Sequence, residues 1–319
     1  MEINRRNIRT WSLLGARGTF GLALQTLAAD NDFYIVSADL TISSGLSKFR
    51  ELYPDRMVNV GIAEQSLIGT AAGMTLESDT VFATSFAPFV TERCLDQIRM
   101  NLGYMQLPVK LVGLSAGFEA GLSGCSHYGM EDTASIRLLH SIPVVTPADC
   151  AEIVKTLEAS LSYNGPLYIR LTGGRNTPII YKEDYSFEIG KGIVLREGED
   201  VLIIANGVPV FESVKAAGML ENEGISAAVI NMHTLNPIDR DLVCRMAAGK
   251  KAIITVEEHS ICGGLGTAVA EIMAEEGNMP RLVRVGMPDR YMKAGKHEFM
   301  MEKYGLKAEC IAETVKKSI

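Results

Sequence analysis

Short apolar runs alternate with amphipathic stretches along most of this chain. The runs keep a nearly constant hydrophobicity, which predicts strands buried on both faces of a parallel sheet. They lie at 33–39, 80–86, 108–115, 143–149, 166–172, 200–207, 226–235, 251–259 and 281–288. Helices are predicted between them, among others at 148–161, 210–222 and 266–276. Pro147 and Asp149 favour a helix start, because proline tolerates the first turn and a carboxylate suits its positive end.

The alternation of strands and helices predicts an α/β fold with two doubly wound domains. It breaks at 176–200, a polar stretch without a helical period. We interpret this stretch as an interdomain connection with room for a short hairpin. The predicted first domain is 1–180, the linker is 181–197 and the second domain is 198–319.

Composition narrows the possible functions. Of 319 residues 47% are hydrophobic and 22% charged, which predicts packed cores instead of disorder. A formal net charge of −7 without basic clusters argues against binding to nucleic acid or to an anionic membrane. The six cysteines are scattered, and neither a signal-peptide core nor a membrane-length apolar run is visible. We therefore expect a reduced, cytoplasmic protein.

Several common site motifs are absent from the sequence, namely the GxxxxGK[ST] phosphate loop, HExxH and the GxSxG nucleophile elbow. The five histidines form no pair at metal-ligand spacing, so no metal site is predicted in this chain. Gly263, Gly264 and Gly266 lie between a predicted strand and a predicted helix, where backbone N–H groups can hold an anion. A tight packing turn explains the same glycines and is the preferred interpretation.

The segment RMVNVGIAEQSLIGTAAGM at 56–74 carries the most information about chemistry. It predicts a short strand followed by a helix rich in small residues, with Glu64 at the helix start near Ile62, Ala63 and Leu67. A carboxylate at this position stabilises the helix dipole. In an apolar setting the neutral acid is favoured, and it can donate a hydrogen bond to a ring nitrogen.

These residues carry a resemblance that extends over most of the chain. NVGIAEQ, the helix rich in glycine and alanine, FATSFAPFVTERCLDQIR, LPV and a glycine loop ending at His127 follow one another. This order resembles the pyrimidine-binding domain of the transketolase family of thiamine-diphosphate enzymes. DVLIIANG, INMHTLNPID and VEEHSICGGLG then resemble that family's C-terminal domain. The family's GDG…N motif for metal and diphosphate is absent, so the chain resembles the C-terminal subunit of a split transketolase.

The resemblance implies two catalytic residues. Glu64 matches the glutamate that exchanges a proton with the aminopyrimidine ring of the cofactor and so activates its thiazolium carbon. His127 matches a histidine that hydrogen-bonds the substrate carbonyl or hydroxyl. Phe86 and Phe89 match aromatic residues that stack on the pyrimidine ring. The remaining residues expected on the cofactor side are Asp39, Leu40 and Ile62.

Substrate contacts are also implied by the resemblance. Arg17 and Ser43 match residues that bind the substrate phosphate, and Arg175 is expected to supply a further phosphate contact. Two departures from the family's pattern leave the identity of the sugar substrate open. Ser123 replaces an aspartate that reads a substrate hydroxyl, and Ser115 lies near the place of a phosphate-binding histidine.

The implied function is transfer of a two-carbon ketol unit from a ketose donor to an aldose acceptor, as sugars or sugar phosphates. Thiamine diphosphate would be shared with a separate diphosphate-binding subunit, which would also bind Mg²⁺, in an α₂β₂ heterotetramer. Two alternatives stay open. One is half of another thiamine-diphosphate enzyme, of the 1-deoxyxylulose-5-phosphate synthase or oxo-acid dehydrogenase E1 β type. The other is a non-catalytic α/β scaffold protein.

Overall fold

Two mainly parallel β-sheets, covered by helices, form the structure, a computed structural model that describes residues 1–78 and 80–319. The strands are β1 (Tyr34–Ser37), β2 (Met57–Asn59), β3 (Val81–Phe86), β4 (Val109–Leu114), β5 (Val144–Val145), β6 (Leu167–Arg170), β7 (Ile193–Arg196), β8 (Val201–Ala205), β9 (Ala227–Asn231), β10 (Thr234–Asn236), β11 (Ala252–Ser260) and β12 (Arg281–Met287). The α-helices are α1 (Arg5–Leu27), α2 (Ser47–Leu52), α3 (Glu64–Met74), α4 (Ala87–Val90), α5 (Leu95–Ile98), α6 (Asp132–Arg137), α7 (Cys150–Ser162), α8 (Pro209–Glu221), α9 (Arg240–Ala247), α10 (Leu265–Glu276), α11 (His297–Lys303) and α12 (Ala308–Lys316).

The first sheet has seven strands in the order β10-β5-β6-β4-β3-β1-β2. Its members pair in parallel except β10, which runs antiparallel to β5. Every residue of β4 is buried, as a strand covered on both faces requires. The predicted parallel α/β architecture is therefore confirmed for this part of the chain.

The second sheet has five strands in the order β12-β11-β8-β9-β7. Its parallel strands β8, β9, β11 and β12 were all predicted, whereas β7 lies in the stretch assigned to the linker and pairs antiparallel with β9. The prediction of one strand at 226–235 was wrong, because β9 belongs to the second sheet and β10 to the first. An apolar run does not reveal where a chain leaves one sheet for another.

A break in α1 positions the first site residues. Gly15 has φ 70°, outside the helical region, and a Cβ there would lie 2.4 Å from the carbonyl oxygen of Gly174. The backbone N–H of Ala16 donates to the carbonyl of Gly173 across 3.2 Å. Only glycine permits this approach, which brings Arg17 next to the loop that contains Arg175.

Asp149 caps α7, as the sequence predicts. Its Oδ1 accepts a hydrogen bond from the backbone N–H of Glu152 across 2.8 Å. Its Oδ2 accepts from the backbone N–H groups of Ile180, across 2.5 Å, and Tyr181, across 3.2 Å. The cap therefore also fixes the chain as it leaves the first sheet.

Buried polar contacts join the two sheets. Arg170 at the end of β6 forms an ion pair with Asp132 across 2.7 Å, and both side chains are buried. Its Nη2 donates to the carbonyl oxygens of Gly129 and Glu258, across 2.8 and 2.9 Å. The guanidinium thus links α6 to β11 of the second sheet. None of the helices within residues 1–78 and 80–319 has both the length and the apolar character of a membrane span.

Candidate active site

The candidate residues gather at one edge of the first sheet, beyond the carboxyl ends of its parallel strands. Asp39 follows β1, Glu64 follows β2 and Phe86 is the last residue of β3. His127 lies in the loop after β4, and Arg175 lies after β6. This edge is the usual location of ligand sites in open α/β sheets.

Three of the six non-glycine residues with positive φ angles in the described part of the chain lie at the same edge. Asp39 has φ 57°, Ser115 has φ 51° and Asn176 has φ 63°. They lie in the segments that follow β1, β4 and β6. Such conformations are unfavourable for residues with a Cβ and concentrate where the fold must present particular groups.

Glu64 begins α3 and its side chain is only 3% exposed. Its Oε1 accepts a hydrogen bond from Ser85 Oγ across 3.2 Å, and its Oε2 forms an ion pair with Arg93 across 2.8 Å. Ile62, which the sequence places beside Glu64 as an apolar neighbour, is 79% exposed, and the hydrogen-bonding partners of the carboxylate are Ser85 and Arg93. The chain turns at Gly61, with φ 74°, which lets Ile62 point outward while Glu64 points inward.

An aromatic group adjoins this carboxylate. Phe86, Phe89 and His127 meet edge to face, with centroid distances of 6.2 Å between the phenylalanines and 5.1 Å between Phe89 and His127. The Arg93 guanidinium lies 4.4 Å from the Phe89 ring centroid. Arg93 therefore connects Glu64 to the aromatic group, and the structure brings together four of the predicted residues.

Asp39 and Gly61, the residue before Ile62, are connected through Asn59 at the end of β2. Asn59 Nδ2 donates to Asp39 Oδ1 across 3.0 Å, and its Oδ1 accepts from the backbone N–H groups of Asp39 and Gly61, each across 3.0 Å. Leu40 follows Asp39, and its backbone N–H donates a hydrogen bond to Ser37 Oγ across 3.3 Å. The loops after β1 and β2 thus form one hydrogen-bonded unit.

The three predicted substrate contacts line a second part of the edge. Arg17, Ser43 and Arg175 border a cavity of about 290 Å³ together with Glu119. Arg17 Nη1 donates to the carbonyl of Ser43 across 3.3 Å, and its Nε lies 3.2 Å from Glu119 Oε1. Arg175 is exposed at the rim.

The glycine loop after β4 carries the last predicted catalytic group. His127 is half-buried, and its Nδ1 lies 2.9 Å from Ser126 Oγ. Ser123 is exposed at the loop surface, whereas Ser115 is buried at the end of β4. A cluster of three or more metal-ligand side chains does not occur within residues 1–78 and 80–319.

The turn at 263–266 holds a carboxylate of the protein itself. Glu257 accepts hydrogen bonds from the backbone N–H groups of Leu265, across 2.7 Å, and Gly266, across 2.8 Å, at the start of α10. Burial raises the pKa of Glu257 to about 7 although these hydrogen bonds lower it. A Cβ on Gly264 would lie 2.0 Å from Glu257 Oε2, so the glycine serves packing.

Ser85, Arg93, Asn59 and Glu119 belong to the site but were not singled out by sequence analysis. Arg93 lies four residues after Phe89 in the resembling segment, and Asn59 begins NVGIAEQ, so both carried a local signal. Ser85 precedes Phe86 directly. Glu119 had no such signal, since only the fold places it beside Arg17.

Comparison with known proteins decides the family. A model described as the pyrimidine binding domain of transketolase matches residues 14–176, and one described as the transketolase C-terminal domain matches residues 190–311. The chain belongs to the transketolase family. The two matched domains follow one another in the order that the sequence motifs predict. The two mainly parallel sheets of the structure correspond to these two domains.

Several similar proteins are described as a section or a subunit of a transketolase. The putative transketolase C-terminal section of Methanocaldococcus jannaschii is 38% identical and covers 94% of this transketolase-family chain and 95% of its own length. The 6-deoxy-6-sulfo-D-fructose transketolase subunit SqwH of Clostridium sp. (strain MSTE9) is also 38% identical, over 90% of this chain and 89% of its own. A solved split gene transketolase, described as an inactive beta4 tetramer, has a TM-score of 0.88 and 39% identity. The match covers 96% of this chain and 98% of that one.

Proposed function

We propose that this chain is the pyrimidine-binding subunit of a two-subunit, thiamine-diphosphate-dependent transketolase. The reaction is transfer of a two-carbon ketol unit from a ketose to an aldose. The observation that carries the proposal is the convergence of Glu64, Phe86, Phe89 and His127 at one sheet edge. Similar proteins described as a section, a subunit or a β tetramer, which the chain covers almost entirely, support the two-subunit form.

The residues at this edge fit the pyrimidine ring of the cofactor. A buried carboxylate, Glu64, lies beside two half-buried aromatic rings, Phe86 and Phe89, and a 79% exposed apolar side chain, Ile62. Thiamine diphosphate supplies the nucleophilic carbon that carries the transferred unit when it is bound. Glu64 holds or exchanges a proton with a ring nitrogen, since its buried carboxylate lies beside the two aromatic rings.

The remaining chemistry is assigned to the chain's own side chains. Ser126 engages Nδ1 of His127, which leaves Nε2 as the nitrogen that hydrogen-bonds the substrate oxygen. Arg17, Ser43 and Arg175 bind the far end of the sugar from their shared cavity. Asp39 and Leu40 complete the cofactor side through the loop held by Asn59.

The partner subunit holds Mg²⁺ and the diphosphate group, in an α₂β₂ assembly. Two features support a missing partner. Ile42, Ile62 and Leu122 are 86%, 79% and 75% exposed around the proposed pocket, an apolar rim that a second chain would cover. The similar split transketolase was described as inactive in its beta4 form.

Reconstitution tests the proposal. The chain is co-expressed with a diphosphate-binding subunit of ~30 kDa, as one domain suggests, and cofactor-dependent transfer is measured over ketose donors and aldose acceptors. We expect transfer by the complex and none by the single chain. Glu64→Gln keeps the shape but cannot exchange the proton, so hydrogen–deuterium exchange at C2 of bound cofactor should slow about 10²–10⁴-fold.

Glu51→Gln is the matched control, because Glu51 is a 61% exposed carboxylate paired with Lys48 on α2. It should leave exchange and transfer unchanged. Cofactor affinity should fall far less than the exchange rate in Glu64→Gln, since Phe86 and Phe89 remain. Transfer by the purified single chain, or exchange at the wild-type rate in Glu64→Gln, would overturn the proposal.

A further inference from the structure

Glu119 occupies an unusual position for an acidic residue, inside the pocket that contains Arg17 and Arg175. It borders both the cavity of about 290 Å³ and an adjoining one of about 490 Å³ that reaches His297 and Lys307 of the second half. Arg17 and Arg175 also border both cavities. A carboxylate therefore lies where the proposed function places the far end of the sugar.

The Glu119 side chain is 7% exposed. Its Oε1 lies 3.2 Å from Arg17 Nε, while its Oε2 is buried without a hydrogen-bond partner among the residues that the structure describes. Nothing in the backbone requires a carboxylate here, since the adjacent Phe118 N–H donates to Glu258. Within residues 1–78 and 80–319, the ion pair with Arg17 is therefore the one polar contact of the Glu119 side chain.

Charged groups face Glu119 from three elements, namely Arg17 on α1, His297 at the start of α11 and Glu258 on β11. His297 and Glu258 pair with each other across 3.0 Å and largely cancel. Among the residues that border the cavity of about 290 Å³, Arg17 and Arg175 carry a positive charge and Glu119 carries a negative one. The sum is a single positive charge, which matches a monoanion and leaves a dianion uncompensated.

We propose that Glu119 determines the charge selectivity of the Arg17 pocket, so that a singly charged end of the sugar is favoured over a doubly charged one. The inference rests on the proposed function in taking this pocket as a substrate subsite. It extends that function by naming the class of substrate. Protonation of Glu119 removes its charge, so the preference moves toward dianions as the pH falls.

The pH range of this change follows from burial. Burial raises the pKa of Glu119 to about 7, against the opposing effects of Arg17 and His297. The carboxylate therefore changes charge in the range where enzymes operate. His297, whose pKa lies above its ordinary value because Glu258 outweighs the effect of burial, titrates nearby and must be controlled.

Equilibrium dialysis of the full chain with ³⁵S-labelled sulfate and methanesulfonate tests the proposal without turnover. These anions keep charges of −2 and −1 over the whole pH range used. At high pH, Glu119→Gln should bind sulfate about tenfold more tightly than wild type and methanesulfonate about threefold, because the Coulomb energy scales with ligand charge. Failure of ketol transfer would leave this result standing, which separates the two proposals.

Three variants serve as controls for the comparison of sulfate and methanesulfonate binding. Arg17→Gln should abolish binding of both anions, which locates the site. Glu119→Asp keeps the charge and should retain the wild-type ratio of the two affinities. In wild type and in His297→Asn the sulfate preference should rise as the pH is lowered, whereas in Glu119→Gln it should stay constant.

Three results would overturn the proposal. A merely structural Glu119 would make Glu119→Gln bind both anions more weakly by the same factor. A pH dependence that survives in Glu119→Gln and disappears in His297→Asn would transfer the effect to the histidine. Sulfate binding that persists in Arg17→Gln would place the anion elsewhere and would likewise contradict it.

Discussion

Buried glutamates are the clearest residue-scale feature of this molecule. Glu152 on α7 accepts a hydrogen bond from the backbone N–H of Ala148 across 2.6 Å, and both its oxygens lie 2.9 Å from Asn231 Nδ2 on β9. Burial raises the pKa of Glu152 to about 8, although these hydrogen bonds lower it. One carboxylate therefore connects the two sheets and responds to pH.

The sign of the pH effect follows from the raised pKa. The native state keeps a proton on Glu152 that the unfolded chain releases at ordinary acidic pH, so its stabilising effect is complete below pH ~4 and is lost as the pH rises through about 8. We expect the free energy of unfolding in urea to fall by roughly 3 kcal/mol from pH 5.5 to 8 through this group.

Glu152→Gln should flatten that slope, because an amide stays neutral and can donate to Asn231 Oδ1, which lacks a partner among the described residues. Glu309→Gln on the exposed side of α12 is the control and should keep the slope. An unchanged slope in Glu152→Gln would contradict the prediction. Glu92, Glu119 and Glu257 also have raised pKa values, so part of the slope remains.

At the scale of elements, the crossing of α1 over the loop after β1 positions Arg17 and Ser43 of the candidate site. A Cβ on Gly21 would lie 2.0 Å from the carbonyl oxygen of Gly45. That loop carries Leu40 and Ser43. Helix and loop are thus in contact through two glycines, and any side chain at this crossing must separate them.

Gly21→Ala is therefore expected to lower the free energy of unfolding by about 1–3 kcal/mol, as overpacking does. It should also weaken sulfate binding at Arg17, since Ser43 moves with the loop. Gly218→Ala on α8 is the matched control, because a Cβ there meets nothing within 4 Å. It should gain about 0.5–1 kcal/mol from helix propensity. Equal stabilisation of both variants in urea titrations would refute the crossing argument.

At the scale of the whole molecule, we expect the proposed partner subunit to bind at the exposed apolar rim of Ile42, Ile62 and Leu122. Ile62→Asp places a charge on the side chain that is 79% exposed beside Glu64, so we expect at least about tenfold weaker association with the partner subunit. Sedimentation of the mixed subunits measures this. Leu76→Asp is the control, since Leu76 is 69% exposed past the opposite end of α3. Equal affinities of the two variants would exclude this rim from the interface.

Much of the molecule was determined by the sequence itself. The predicted strands at 80–86, 108–115 and 251–259 agree with the observed strands to within one residue at each end. A strand that is buried on both faces consists of consecutive apolar side chains, which the sequence shows directly. Asp149 caps α7 for an equally local reason. Glu64, Phe86, Phe89 and His127 were found as motifs, and the parallel sheet brings them to one edge, since each follows or ends a strand of that sheet.

Only the tertiary structure decided the contacts between distant parts of the chain. The run at 226–235 divides between two sheets because Thr234–Asn236 pairs with β5, which no local pattern reveals. Arg93 reaches Glu64 and Glu119 reaches Arg17 across 29 and 102 positions of sequence. The physical reason is the same in each case. Local patterns fix which face of an element is buried, whereas the partner of a polar group depends on how all elements pack.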